Sequence, residues 1–288
     1  MTRRATIAAA LAWALTAIGP AAQSQLPTFS SRIEAVRVDV LVTDGGKPVR
    51  GLRAADFEVF DNGVRQTVDF VSAEQLPLNV VFTFDLSGSI VGERLANLRE
   101  ASHAVLDGLK ADDQAALVTF NSAVLVGPGL TRDVRLVKAA IDRAEPTGNT
   151  SLVDASFAGL MLAEADVGRG LVIVFSDGVD TASWLGSKAV LDVAKRSDAV
   201  VYAVSAGLNR RAEFLGDLTE QTGGRLFTIE STRDLSGVFL EVLDEFRQRY
   251  LLSFSPAGVS PGGWHPLTVR VKGRSAVVKA RPGYLAGQ

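Results

Sequence analysis

Cysteine is absent from the 288-residue chain, which excludes disulfides, thiolate metal sites, cysteine nucleophiles and lipidated-cysteine anchors. Histidine is nearly so. His103 and His265 alone leave little material for a histidine-based triad and none for a multi-histidine zinc site. A charge bias is lacking as well, with 30 basic against 32 acidic side chains and a net charge of −2. No basic face speaks for nucleic acid, and no acidic run for a solvating tail. Beyond the N-terminus no apolar stretch approaches the ~20 residues of a spanning helix. What remains is an ordinary globular composition, 47% hydrophobic and 22% charged. It suffices for a sizeable core, in one large domain or in an ordinary domain with a small companion.

Residues 1–24 have the three-part plan of a secretory signal peptide. Arg3 and Arg4 start it, an apolar run follows from Ile7 to Ile18, and Gly19 and Pro20 break the run. Ala21, Ala22 and Ser24 then supply small residues for cleavage. An uncleaved anchor is the alternative. Export predicts a secreted or periplasmic protein with no membrane span after cleavage. Loss of Arg3 and Arg4 would take the 30 basic residues to 28 against 32 acidic, a net charge of −4.

The rest divides into three. Residues 33–75 read as β structure. Near-alternation from Ile33 to Val42 predicts a strand, Asp44-Gly45-Gly46 a turn, and Phe57–Phe60 a strand entering the hairpin signal Asp61-Asn62-Gly63, with Gln66–Val71 as its return. Residues 78–250 alternate strand and helix patterns. Val80–Phe84 and Leu171–Phe175 are unbroken apolar runs, as in strands buried on both faces. Ala115–Phe120, Val200–Ser205 and Leu226–Ile229 are further strands, with a short edge strand over Ala123–Val126. Helices are predicted over Glu93–Leu109, Val134–Ala144, Leu152–Ala165, Lys188–Arg196, Ala212–Thr222 and from Leu235 to about Tyr250. The fold class is therefore α/β, a doubly wound and mostly parallel sheet with helices on both faces. Residues 251–285 return to strand patterns, with Leu267–Val271 expected to pair with Ala276–Ala280. Neither β segment offers enough strands for its own core, so 33–75 and 251–285 are expected to build one small β domain together.

In such a sheet, ligands bind beyond the carboxyl ends of the strands. Three segments there carry chemistry: Asp85-Leu86-Ser87-Gly88-Ser89, Gly148-Asn149-Thr150-Ser151, and Ser176-Asp177-Gly178. Carboxylates and hydroxyls without a soft ligand suit Mg²⁺, Mn²⁺ or Ca²⁺. Taken singly, Ser89 or Thr150 could cap a helix and Asp177-Gly178 could be a turn. Their joint placement at strand ends favours a site.

These residues, in this order and strand–helix context, resemble the metal-ion-dependent adhesion site of von Willebrand factor type A (VWFA) domains, and the likeness runs over roughly Leu78–Tyr250. It implies a Rossmann-like fold and metal-binding positions at Asp85, Ser87, Ser89, Thr150 and Asp177. By the resemblance, Ser87 and Ser89 would bind the ion directly, Thr150 directly or through water, and Asp85 and Asp177 largely through water and hydroxyls. The flanks, including Val38-Asp39-Val40, Asp56–Val59, Tyr250–Leu252 and Gly283-Tyr284, are similar to bacterial exported proteins of this kind. Hydroxyl ligands leave a cation electron-poor, so a partner's Asp or Glu carboxylate could complete its coordination. The expected role is thus metal-dependent protein binding, in adhesion or assembly, with no enzyme activity. Two other readings stay open: a scaffold subunit without metal dependence, and a Mg²⁺-dependent hydrolase. Ser87 stands where an aspartyl-phosphate enzyme would need a second Asp, and neither a nucleophile elbow nor a phosphate loop is present. His103 is expected on a helix surface or in packing, and His265 in a structural loop. Without metal, Asp85 and Asp177 are expected to repel each other.

Overall fold

The computed structural model describes residues 35–72, 76–207, 213–273 and 275–287, which belong to one compact unit. The predicted signal peptide lies outside the described residues. The first segment forms β1 (Val36–Asp44), β2 (Lys47–Pro48), β3 (Phe57–Asp61), β4 (Val64–Gln66) and β5 (Phe70–Ser72). The middle forms β6 (Leu78–Asp85), α1 (Glu93–Asp107), β7 (Gln114–Phe120), β8 (Val124–Val126), α2 (Val134–Arg143) and α3 (Leu152–Ala163). It continues through β9 (Arg169–Ser176), α4 (Ser187–Ala194), β10 (Val200–Ala206), α5 (Glu213–Gln221), β11 (Leu226–Ile229) and α6 (Leu235–Arg247). The last segment adds β12 (Tyr250–Phe254), β13 (Gly263–Val271), β14 (Val277–Lys279) and β15 (Gly283–Ala286).

The central sheet runs β11-β10-β9-β6-β7-β8 and is parallel except for β8. Its strands are apolar without alternation because helices cover both faces. Val80, Phe82 and Phe84 pack with α1, α2 and α6, whereas Val81, Val172 and Val174 pack with α3, α4 and α5. The chain leaves β6 through α1 to β7 on one side, and later runs from β9 to β10 and β11 on the other. The β6/β9 boundary is therefore the topological switch point, where the loops diverge and open a crevice.

Two antiparallel sheets pack on each other beside this layer. One runs β14-β1-β12-β5, with β2 on β1; the other runs β15-β13-β3-β4. Val38, Val40, Phe57, Tyr250, Leu252 and Phe254 are among the side chains of their shared core. As expected, the two terminal segments interleave: β1 lies between β12 and β14, and β3 pairs with β13. Two local expectations need correction. Asn62 and Gly63 adopt φ of 49° and 78°, the tight turn that sets Val64 opposite Asp61. The return strand is therefore Val64–Gln66, and Phe70–Ser72 crosses to the other sheet to pair with β12. Nor does Ala276–Ala280 form a hairpin with Leu267–Val271. The latter stretch pairs with β3, and Val277–Lys279 adds to the part of β1, Leu41–Thr43, that extends beyond β12.

A buried polar seam joins the sandwich to the amino edge of the parallel sheet. Asp39 of β1 pairs with Arg169 at the start of β9, and that guanidinium lies 4.6 Å from the centre of the Phe246 ring. Arg249 donates to Tyr202 Oη at 3.0 Å and to the Gly223 carbonyl at 2.5 Å. Arg281 donates to the carbonyls of Ser197 and Arg37 at 2.9 and 2.6 Å. All of these lie before or at the beginnings of β9, β10 and β11, so the carboxyl edge stays clear.

Candidate metal centre

At that carboxyl edge β6 ends in Asp85 and β9 in Ser176. Phe84 is in register with Phe175, which brings the next residues abreast. Ser176 Oγ donates to Asp85 Oδ2 at 2.6 Å, and the Ser87 N–H donates to Asp85 Oδ1 at 2.8 Å. Ser87 Oγ and Ser89 Oγ lie 3.1 Å apart, and Ser89 Oγ donates to Asp177 Oδ1 at 2.7 Å. Four of the predicted residues thus form a linked set. Thr150 reaches it from the second loop: a methyl group built on Gly178 would stand 3.5 Å from Thr150 Oγ1 and 4.0 Å from Asp85 Oδ2. Thr150 is buried.

Local chemistry holds the loops. Gly88 N–H donates to the Gly148 carbonyl at 3.1 Å, tying the first loop to the second. Gly148 has φ of 71°, and a Cβ there would lie 2.5 Å from Ser122 Oγ, so both conformation and space call for glycine. Thr150 is clamped by Thr181, whose Oγ1 accepts its N–H at 3.1 Å and whose own N–H donates to its carbonyl at 2.8 Å. Neither Ser89 nor Thr150 caps a helix. The N-cap positions of α1 and α3 are Gly92 and Ser151, and neither supplies a capping side chain. The free N–H groups of α3 are met instead by Asp180 Oδ1, from Val153 at 3.2 Å, and Ser183 Oγ, from Asp154 at 3.1 Å. Asp154 in turn accepts the N–H groups of Trp184 and Leu185 at 2.9 and 2.8 Å.

The donor set fits a hard divalent cation. Asp85 is fully buried, and that burial pushes its carboxyl above the ordinary range; the hydrogen bonds from Ser176 and Ser87 oppose the shift, and the charge of Asp177 adds least to it. A buried anion in this state gains from a nearby cation. The neighbouring hydroxyls of Ser87, Ser89 and Thr150 supply neutral oxygens, and Gly178 leaves the space between open. Among the described residues no three His, Cys, Asp or Glu converge on one point.

Arg94 was not foreseen. From the first turn of α1 its Nη1 donates to Asp177 Oδ2 at 2.5 Å, so Asp177 already has a cationic partner. Its only trace in the sequence is a cation at the start of a helix, where the dipole disfavours it. Ser176, quoted beside Asp177 but given no role, ends β9, and Thr181 was missed although it lies in the loop that carries Asp177. The two histidines stand apart. His103 on α1 faces Asp142. His265 lies in strand β13 rather than a loop, fully buried, with Nδ1 2.7 Å from Asp61 Oδ1 and Nε2 3.4 Å from Ser260 Oγ. Tyr284 Oη donates to the second oxygen of Asp61 at 2.7 Å, and the group ties β3, β13 and β15 of one sheet together.

Fold and site together define a class of protein. The profile of the von Willebrand factor type A domain matches residues 79–241, and the chain belongs to that family. Among curated relatives, mouse inter-alpha-trypsin inhibitor heavy chain H2 is 28% identical over 204 residues, covering 64% of this chain and 21% of that protein. The chain thus spans about a fifth of that relative's length. Among solved structures, a von Willebrand factor type A protein from Catenulispora acidiphila superposes with a TM-score of 0.55 at 14% identity, covering 80% of this chain and 72% of that one. Proximal thread matrix protein 1 of the mussel byssus, solved with zinc in its adhesion-site motif, gives 0.53 at 20% identity, over 63% of this chain and 48% of that one. These two likenesses show the shared fold. No helix among the described residues is long and apolar enough to cross a membrane.

Proposed function

We propose that the chain is an exported, metal-dependent protein-binding module serving adhesion or assembly, and not an enzyme. In this reading Asp85, Ser87, Ser89, Thr150 and Asp177 hold Mg²⁺ or Mn²⁺, with Ca²⁺ compatible with the same oxygen chemistry. When bound, the cation would offer an open coordination position to an Asp or Glu carboxylate of a partner protein. The gathering of Ser87, Ser89 and Thr150 around the carboxylates of Asp85 and Asp177 at the sheet's switch point carries this reading. Asp85 and Asp177 supply the negative charge, Ser176 and the Ser87 N–H fix the orientation of Asp85, and Thr181 fixes that of Thr150. The zinc-occupied motif of the mussel protein supports it by analogy of fold. The rim suits a protein partner. Trp184 is 95% exposed, yet its backbone is pinned through Asp154, and Val91, Val179 and Leu185 are exposed on the same loops. A rigidly presented aromatic residue is a favourable anchor at an interface. The leader-like residues 1–24 support export, and residues 33–75 with 251–285 form a supporting domain for residues 78–250. The test is capture of partners from the exported proteome on immobilised protein, with Mg²⁺ and with EDTA. Partners retained only with metal, and lost with Ser87→Ala, are expected. Equal capture under both conditions would favour the metal-independent scaffold.

A further inference from the structure

The ion pair between Arg94 and Asp177 bears on how strongly the site holds metal. Asp177 is 5% exposed, and both of its oxygens are occupied, one by Ser89 Oγ at 2.7 Å and the other by Arg94 Nη1 at 2.5 Å. The arginine itself is 52% exposed. It sits in the first turn of α1, behind an N-cap glycine, where the helix dipole disfavours a cation. Asp177 is therefore what holds it there. The other charged pair at this end of α1, Glu93 with Arg233 at 2.6 Å, is separate from the site.

We propose that Arg94 is a resident counter-ion that lowers the affinity of the site for divalent metal by competing for Asp177. This deepens the metal-binding reading and rests on it. A cation among Ser87, Ser89 and Thr150 would draw on the same carboxylate that neutralises the guanidinium. Either the two positive charges share one carboxylate, or the arginine swings into solvent, which its exposure permits. Both routes cost affinity. Without metal, the same pair keeps Asp177 neutralised and the fold unstrained.

The test measures binding of Mn²⁺ alone by titration calorimetry, and melting in EDTA and in Mg²⁺, for wild type, Arg94→Gln, Arg94→Lys and Ser87→Ala. Arg94→Gln is expected to bind Mn²⁺ about tenfold more tightly, equivalent to ~1.4 kcal/mol. It should melt below wild type in EDTA yet gain more on adding Mg²⁺. Arg94→Lys keeps the charge and should bind like wild type, which separates electrostatics from shape. Binding to Arg94→Gln but not to wild type would also support competition. If wild type binds and Arg94→Gln binds equally or more weakly, the counter-ion role is wrong while the metal site stands. If Ser87→Ala binds like wild type, or no variant binds at millimolar metal, the site reading itself fails.

Discussion

Asp85 is fully buried and accepts hydrogen bonds from Ser87 N–H and Ser176 Oγ. The repulsion from Asp177 expected of a metal-free site is the least of the influences on it, since burial dominates. Asp177 in turn is balanced by Arg94. The two aspartates should therefore respond differently to substitution. Asp85→Asn removes the buried charge and keeps the shape. Ser176 Oγ can turn to accept from the new amide, because the Gly178 carbonyl lies 3.5 Å away to receive its proton. In EDTA this variant should match or exceed wild type by about 0–1 kcal/mol, since an unneeded desolvation cost is gone. It should also lose any Mg²⁺-dependent rise in melting temperature. Scanning calorimetry with and without Mg²⁺ checks both; a variant that melts far below wild type in EDTA while keeping the rise would make Asp85 structural. Asp177→Ala instead strands Arg94, and because that arginine is solvated the cost in EDTA should stay below about 1 kcal/mol.

Helix α3 shows how an element can owe its position to a missing side chain. Its sequence is apolar or small almost throughout, which is why the sequence pattern predicts a buried helix. A Cβ at Gly159 would lie 2.7 Å from Thr83 Oγ1 and 3.1 Å from Val172 Cγ1, so the helix rests directly on β6 and β9 there. Gly159→Ala gains helix propensity but must push α3 off the sheet. The overpacking cost of about 1–3 kcal/mol should win. Because α3 follows Thr150 directly, the same shift should weaken Mn²⁺ binding. Denaturant melts and metal titration test the pair; an alanine variant that is stabilised would show that the contact is loose. The boundaries of α3 were legible only in part. Its first N–H groups are capped by Asp180 and Ser183, about thirty residues ahead, and no local capping pattern announces them.

At the scale of the molecule, the sandwich and the candidate site stand at opposite ends of the parallel strands. The seam of Asp39 with Arg169, Arg249 and Arg281 fastens the sandwich at the amino edge and leaves the carboxyl edge clear. Both flanking strands of β1, apart from the two-residue β2, come from beyond Tyr250. Residues 33–75 made alone should therefore be unfolded, since isolated hairpins are marginal in water. Circular dichroism should show no cooperative melt for that fragment, and a melt restored only when 251–285 is supplied would fit the shared core. A cooperative transition in the fragment by itself would contradict the interleaved domain.

Periodicity and strand-end chemistry were readable along the chain because they depend on neighbours a few residues apart. The apolar runs of β6 and β9, the Asn62-Gly63 turn and the spacing of Asp85, Ser87 and Ser89 all act locally, and they predicted the sheet and the candidate residues. Partner choice among the β strands is another matter. Val277–Lys279 could pair with Leu267–Val271 by its own pattern, but the fold pairs that stretch with β3 and sets Val277–Lys279 on β1. Arg94 meets Asp177 across 83 residues and Arg169 meets Asp39 across 130. Such contacts exist only once burial has stacked helices and sheets and removed water from between the charges.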